Sequence, residues 1–464
     1  MSQFTLPTTR LARLLACALL ISCQAGHAQQ LRISEALQMA RAGDPSWQAA
    51  QAAQSAMDER LKQAKAALLP QANISANAND NRRKYITRNS PFPAAYDNYE
   101  SNSVQLNINQ PVWRTANRAA VTQAKATFNQ AQYQTLAAEQ DLLVRLAQAW
   151  FDWMLARDGQ LAAQAQLQLS EFQMAQAERG EKTGLTSNLQ TEEARMHLRQ
   201  AEADWSAAQA DYEVRLAALE QVTGPLPANL QPPMLADEYK APELKQAQMR
   251  EWLDIANQSS PQAQAARQGV LAALEEVRKQ RAGHEPTLDF VATLSRTQQE
   301  AGGFPGQNGS DVRQRSFGFQ LNIPLFAAGS VNSRVREALA ARSKAESELE
   351  AAQRQARLNT RQAWNQWNAS NARENAAQQG VRYWTEMLKA ANTGQATGLK
   401  SGQDVLQAQQ QLYNSLRELQ KARYDQVTSY LKLKALAGLL QDSDLHALER
   451  WLIPGRNTLA AGVR

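Results

Sequence analysis

The sequence predicts an α+β fold in which one helix–strand–strand–helix–helix unit is written twice. Three observations carry this. Short motifs recur at one spacing, runs of polar–apolar alternation sit at matching places in both copies, and a very long proline-free stretch follows each pair of runs.

The repeats come first. QAWFDW at 148–153 returns as QAWNQW at 362–367, TGLTS at 183–187 as TGLKS at 397–401, and Val222-Thr223-Gly224 is echoed by Leu436-Ala437-Gly438. All three share a spacing of about 214 residues. Asp44-Pro45 matches Ser260-Pro261, Pro70 matches Pro286, and VQLNINQPVW at 104–113 matches FQLNIPLF at 319–326. The expected organisation is a leader over 1–28, repeat 1 over 29–224, a linker over 225–243, repeat 2 over 244–440 and a tail over 441–464.

Each repeat opens with a helix, over 31–69 and 244–281. Pro70 and Pro286 end it, because proline lacks the N–H and its ring clashes with the preceding turn. Strands follow over about 72–80 and 103–110, then 287–296 and 314–323. In the second copy Leu288, Phe290, Ala292 and Leu294 point one way, and Thr287, Asp289, Thr293 and Ser295 the other, with Val291 the exception. Phe317, Phe319, Leu321 and Ile323 likewise oppose Ser316, Gln320 and Asn322. The first copy is weaker, with Ile74, Ala76 and Ala78, then Val104, Leu106 and Ile108.

Long helices are expected over 115–182 and 331–393, tip turns over 183–187 and 394–402, and return helices over 188–223 and 403–437. Small apolar residues at three- and four-residue steps (Val335, Leu339, Ala345, Leu349, Ala352) suit closely packed antiparallel coiled coils. At 1.5 Å per residue each long helix reaches about 100 Å. The opening and return helices together match that length, so stacking them end to end beside the long helix puts TGL at its far tip.

Composition narrows the function. The 464 residues carry a formal charge of +6 spread along the chain, with no basic run interleaved with aromatics, which argues against nucleic-acid binding. A mean hydropathy of −0.54 excludes a bundle of transmembrane helices. Residues 1–28 have the layout of a secretory signal peptide: Arg10 and Arg13, the apolar run LLACALLIS, then AGHA ending at Ala28. LISC at 20–23 offers a second reading, a lipoprotein box with Cys23 acylated. Cleavage after Ala28 removes Cys17 and Cys23, the only cysteines, and with them any disulfide, thiol chemistry or cysteine-based metal site.

Four half-apolar strands cannot close a barrel, for which eight is the usual minimum, whereas two copies supply eight and three supply twelve. The strands suit an outer-membrane crossing when tilted. Polar loops are expected at about 82–101 and 298–312, where Tyr85, Phe92, Tyr96 and Tyr99 fit either a lipid-interface role or ordinary loop packing.

AALLPQ at 66–71, LNIPLFAAGS at 321–330 and TGLKSGQDVLQAQQQLYNS at 397–415, in order and inside a duplicated frame, resemble the TolC family of outer-membrane export channels. The resemblance implies a homotrimer, with a transmembrane β-barrel of four strands per chain and an α-helical coiled-coil barrel extending through the periplasm. It also implies two partners, a periplasmic adaptor (membrane fusion) protein and an inner-membrane transporter, either ABC-type or proton-driven. No cofactor, metal or catalysis is implied. Matched residue by residue, the pore constriction falls on Asp404 and on Gln407, where the family pattern has a second aspartate, and Lys400 stands at a basic position beside it. The tip turns Thr183, Gly184 and Leu185, and Thr397, Gly398 and Leu399, mark where the adaptor docks.

Plainer roles compete for the same residues. A carboxylate in the first turn of a helix is favoured by the helix dipole, which by itself accounts for Asp404. Lysine on an exposed turn, as at Lys400, is commonplace. Trp150, Trp153, Trp364 and Trp367 read as packing anchors. His197, His284 and His446 have no acidic pair at ligand spacing, and no hydrolase or phosphate-loop motif occurs. A soluble periplasmic coiled-coil adaptor or scaffold would explain the helices but not the four duplicated alternating segments. Within the channel reading, type I protein secretion stands ahead of small-molecule efflux, since an unlipidated start leans toward protein export.

Overall fold

The computed structural model of the chain describes residues 31–453 apart from 87–94, 228–229, 237, 243, 245–247 and 302–307. The leader with Cys17 and Cys23, Phe92, and the tail beyond 453 lie outside the described residues.

In the first repeat, α1 (Ile33–Gly43) and α2 (Pro45–Ala66) precede β1 (Gln71–Tyr85), β2 (Ala95–Trp113), α3 (Thr115–Lys182) and α4 (Asn188–Thr223). A short β3 (Met234–Leu235) follows. The second repeat runs α5 (Met249–Ser259), α6 (Pro261–Arg281), β4 (Thr287–Gln299), β5 (Ser310–Asn322), α7 (Ser330–Ala396) and α8 (Gly402–Leu436). Then come α9 (Asp442–Glu449) and β6 (Leu452–Ile453), which pairs antiparallel with β3.

The chain divides into two compact units that cut across the repeats. One comprises Ala49–Ala137 and Asn257–Arg357, and the other the remaining described residues. Duplication organises the sequence, but each unit draws on both copies.

Two expectations change. The opening helix of each repeat is a pair of helices, not one. The chain turns extended at Asp44 (ψ 114°) and Ser260 (ψ 124°), because a following proline disfavours the helical conformation, and Pro45 or Pro261 then starts the next helix. The second pair begins at Met249 instead of 244. The strands also outrun their alternation. β1 and β2 pair continuously from Gln71↔Asn109 to Tyr85↔Ala95. Beyond Ala78 both faces are polar, so the period of two disappears while the backbone ladder continues. Tyr96 and Tyr99 are therefore strand residues, the first exposed and the second buried.

In the first unit the strands form one antiparallel sheet of order β1-β2-β4-β5. Cross-strand partners share a face. Ile74, Leu106 and Leu294 lie on one rung, and Ile108, Ala292 and Phe317 on the next toward the helices. The opposite face carries Asn73, Ser75, Asn107, Thr293 and Ser316. Phe317 and Phe319 are 65% and 70% exposed in the single chain. An apolar sheet face open to water is an aggregation hazard, so it belongs against lipid or a partner.

The second unit has a tryptophan-centred core. Trp150 and Trp153, one turn apart on α3, are fully buried with ring centroids 5.6 Å apart, edge to face. Phe151 stacks on Tyr424 of α8 at 5.5 Å. The apolar face of α1, Ile33, Ala36, Leu37 and Ala40, closes over the same cluster. Asp44 pins this corner. Its carboxylate accepts the Trp47 backbone N–H at 2.7 Å and the Arg145 guanidinium at 2.8 Å. Burial alone would raise its pKa, but those hydrogen bonds hold it down to about 2.

Candidate functional site

Two tip turns, both in the second unit, are built alike. At the end of α3, Gly184 adopts φ 75°, a left-handed conformation that glycine enters without a Cβ penalty. The Leu185 N–H donates to the Gly180 carbonyl at 2.8 Å and the Gly184 N–H to the Glu181 carbonyl at 3.0 Å. This pair of bonds is a Schellman C-cap. At the end of α7, Gly398 has the same φ, Leu399 bonds back to Gly394 at 2.8 Å and Gly398 to Gln395 at 3.0 Å. Thr183 and Thr397 return their hydroxyls to the carbonyls of Gly180 and Gly394, at 3.0 and 3.1 Å. Leu185 and Leu399, freed by these turns, are 86% and 85% exposed.

Gly180 and Gly394 escape the TGL motif but belong to it. A Cβ on Gly180 would lie 2.0 Å from the Thr186 hydroxyl oxygen, and one on Gly394 2.9 Å from Lys400 Cγ. The turn folds back onto both positions. Their signal was present in the sequence as GxxTGL in both copies at the common spacing.

Asp404 sits where the next helix starts. Ser401 caps α8, accepting the Asp404 N–H at 3.2 Å, while Asp404 Oδ2 accepts the Ser401 N–H and hydroxyl, each at 2.8 Å. This is a reciprocal capping box. The same box in the first copy uses Ser187 and Gln190. Hydrogen bonds from Ser401, with Lys400 nearby, hold the Asp404 carboxyl below its usual range, so it is ionised at neutral pH. Gln407, three residues on, shares the exposed face of α8 with Asp404, and Lys400 is exposed on the turn. The structure thus brings Asp404, Gln407 and Lys400 together at one tip and leaves the other tip without a carboxylate at the matching position.

A family profile described as "Outer membrane efflux protein" matches residues 36–225 and 252–439, one stretch per repeat. The chain belongs to the outer membrane efflux protein family. It is an outer-membrane channel for secretion or efflux, and the TolC resemblance of its motifs holds. Among relatives, the proteases secretion protein PrtF of Dickeya chrysanthemi is 28% identical over 440 residues, covering 93% of each chain. Outer membrane protein TolC of Escherichia coli is 28% identical over 443 residues, covering 91% of this chain and 85% of its own. The crystal structure of the Campylobacter jejuni CmeC outer membrane channel superposes with a TM-score of 0.71 at 17% identity, over 90% of this chain and 89% of that one. The fold is therefore that of this channel family, and its homologues are transport proteins.

Proposed function

We propose that three copies of the chain form one export channel, the outer component of a type I protein secretion system. The observation that carries this is the sheet. β1 and β5 stand at its two edges among the described strands, and one face is apolar while the other is polar. An edge is a template for pairing, and closure abolishes it. Pairing β5 of each copy with β1 of the next closes twelve strands, with apolar side chains toward lipid and Asn, Ser and Thr toward the lumen. Helices on the periplasmic side then continue the conduit. The exposed Leu185 and Leu399, with Thr183, Gly184, Thr397 and Gly398 shaping their turns, offer an apolar docking point for a periplasmic adaptor, which links the channel to an inner-membrane transporter. Catalysis has no part in this.

Protein secretion is favoured over small-molecule efflux by the match to PrtF, which runs over 93% of both chains. Gene deletion followed by paired assays tests it. Loss of one large secreted protein with unchanged drug tolerance is the expected result; unchanged secretion with increased drug susceptibility would reverse the assignment.

Asp404, Gln407 and Lys400 form the constriction in this reading. Three ionised Asp404 side chains about a threefold axis attract cations. Asp404→Asn keeps an acceptor for Ser401 and removes the charge, whereas Asp404→Ala removes both, and with them the reciprocal half of the capping box. Both variants are expected to lower cation selectivity in planar-bilayer recordings. Unchanged selectivity in the Asn variant would remove Asp404 from the constriction.

A further inference from the structure

We infer that the membrane-facing side of β4 and β5 carries a binding site for the phosphate groups of a phosphorylated glycolipid in the outer leaflet. This rests on the channel reading above, which orients the β1–β2 and β4–β5 hairpin loops outward. The register places the residues. Leu288↔Leu321, Phe290↔Phe319 and Ala292↔Phe317 are successive rungs of the apolar face. Following the same face toward the hairpin loop, the next rungs are Leu294↔Arg315 and Arg296↔Arg313, then Gln298↔Asp311. Three arginines therefore border the apolar band on its outward side.

Their arrangement is under-neutralised. Arg296 and Arg313 are directly opposite across the ladder, a placement that is destabilising for like charges. Asp311 answers part of it, with Arg296 at 2.7 Å and Arg313 at 3.9 Å. Among the described residues no carboxylate is within 4.0 Å of Arg315. The face's other carboxylates are Asp80 and Glu100, which oppose each other on β1 and β2, where Arg82 lies 3.7 Å from Asp80, and Glu300, one residue past β4, which donates its N–H to the Glu100 carbonyl at 3.0 Å. On the paired rungs of β4 and β5 this face thus holds three cations against one anion.

Arginine on the lipid face of a barrel is costly at midplane and cheap near the interface, where its stem can lie along apolar surface and its head reach outward. Acyl chains against Phe290, Phe317 and Phe319 would bring a headgroup phosphate level with the guanidinium groups. A phosphate accepts two parallel N–H bonds from one arginine and neutralises the Arg296–Arg313 opposition. An uncharged headgroup would do neither.

Native mass spectrometry of the intact trimer released in detergent tests this, with bisphosphorylated lipid A, its dephosphorylated form and phosphatidylglycerol as probes. Bisphosphorylated lipid A is expected to bind roughly tenfold or more tighter than the dephosphorylated form, and the R296Q/R313Q/R315Q variant to lose that difference. Should the triple variant fail to assemble, R315Q alone serves, since Arg315 has no ion pair to lose among the described residues; it is expected to weaken lipid A binding severalfold. Equal binding of phosphorylated and dephosphorylated lipid A by the wild-type trimer would overturn the inference, as would full retention of lipid A by the variants. Phosphatidylglycerol binding as tightly as lipid A would overturn its assignment to the outer-leaflet glycolipid. A protein that washes off membranes with carbonate would instead sink the channel reading, whereas an inserted trimer indifferent to phosphate sinks only this site.

Discussion

Replacing Trp150 with alanine is expected to destabilise the helical unit by about 3–5 kcal/mol, the range for emptying a large aromatic site in a packed core. The side chain is fully buried and stands against Trp153 at 5.6 Å, within the cluster that holds Leu142, Leu146, Leu219 and Leu431. Helices α1, α3, α4 and α8 all supply residues to that cluster, so no single element can move in to fill the cavity. The matching change in the second repeat, Trp364→Ala, should cost less, about 1–3 kcal/mol. Trp364 is only partly buried and packs beside a small cluster of Trp252, Leu433 and Ala437. Thermal unfolding of both variants, followed by circular dichroism, measures the difference. Equal losses would show that the two repeats share one packing role, contrary to this account.

Asp158→Asn should act in the opposite direction. Asp158 on α3 accepts the Tyr424 hydroxyl of α8 at 3.0 Å in an environment whose burial pushes its carboxyl up to about 6, against weaker opposing effects of that hydrogen bond, Arg157 and Arg417. A carboxyl whose pKa is raised on folding favours the folded state in its protonated form. Wild-type stability from this group is therefore full below about pH 4 and falls as pH rises through 6, by roughly 2–3 kcal/mol at about 1.4 kcal/mol per pH unit. Asparagine stays neutral and still accepts the Tyr424 hydroxyl. The variant is expected to match the wild type near pH 4 and to be more stable by that amount near pH 8. A melting difference independent of pH, or a less stable variant near pH 8, would refute the buried-carboxyl interpretation.

Much of this architecture was legible because it is punctuated. Pro70 and Pro286 mark the helix-to-strand passages, and TGL marks both tips, since each imposes a backbone geometry that few residues tolerate. The Asp44-Pro45 and Ser260-Pro261 pairs showed the duplication, but the helix breaks they cause were hidden inside continuous helix-favouring sequence. Strand ends were hidden too. Around Asn79–Arg82 hydrogen bonding persists after the apolar face has ended, and only side-chain patterning is visible in sequence. The two tryptophan motifs, QAWFDW and QAWNQW, look equivalent because burial depends on partners from distant segments, such as Tyr424 and Leu431 for the first. At the tip, the first-turn placement of Asp404 was readable, whereas the engagement of its carboxylate with both the N–H and the hydroxyl of Ser401 needed coordinates. The outward arginines leave no pattern in the sequence because Arg296, Arg313 and Arg315 come together only through the β4–β5 register.

The central claim is that the open-edged sheet closes as a ring of three. Lysine-directed cross-linking of the protein in isolated outer membranes, followed by denaturing electrophoresis, tests it most directly. A closed ring gives bands for one, two and three chains, with all three converging on the trimer at high cross-linker and nothing larger. A ladder that continues past three, or one that never leaves the monomer while the protein remains membrane-bound, would contradict it.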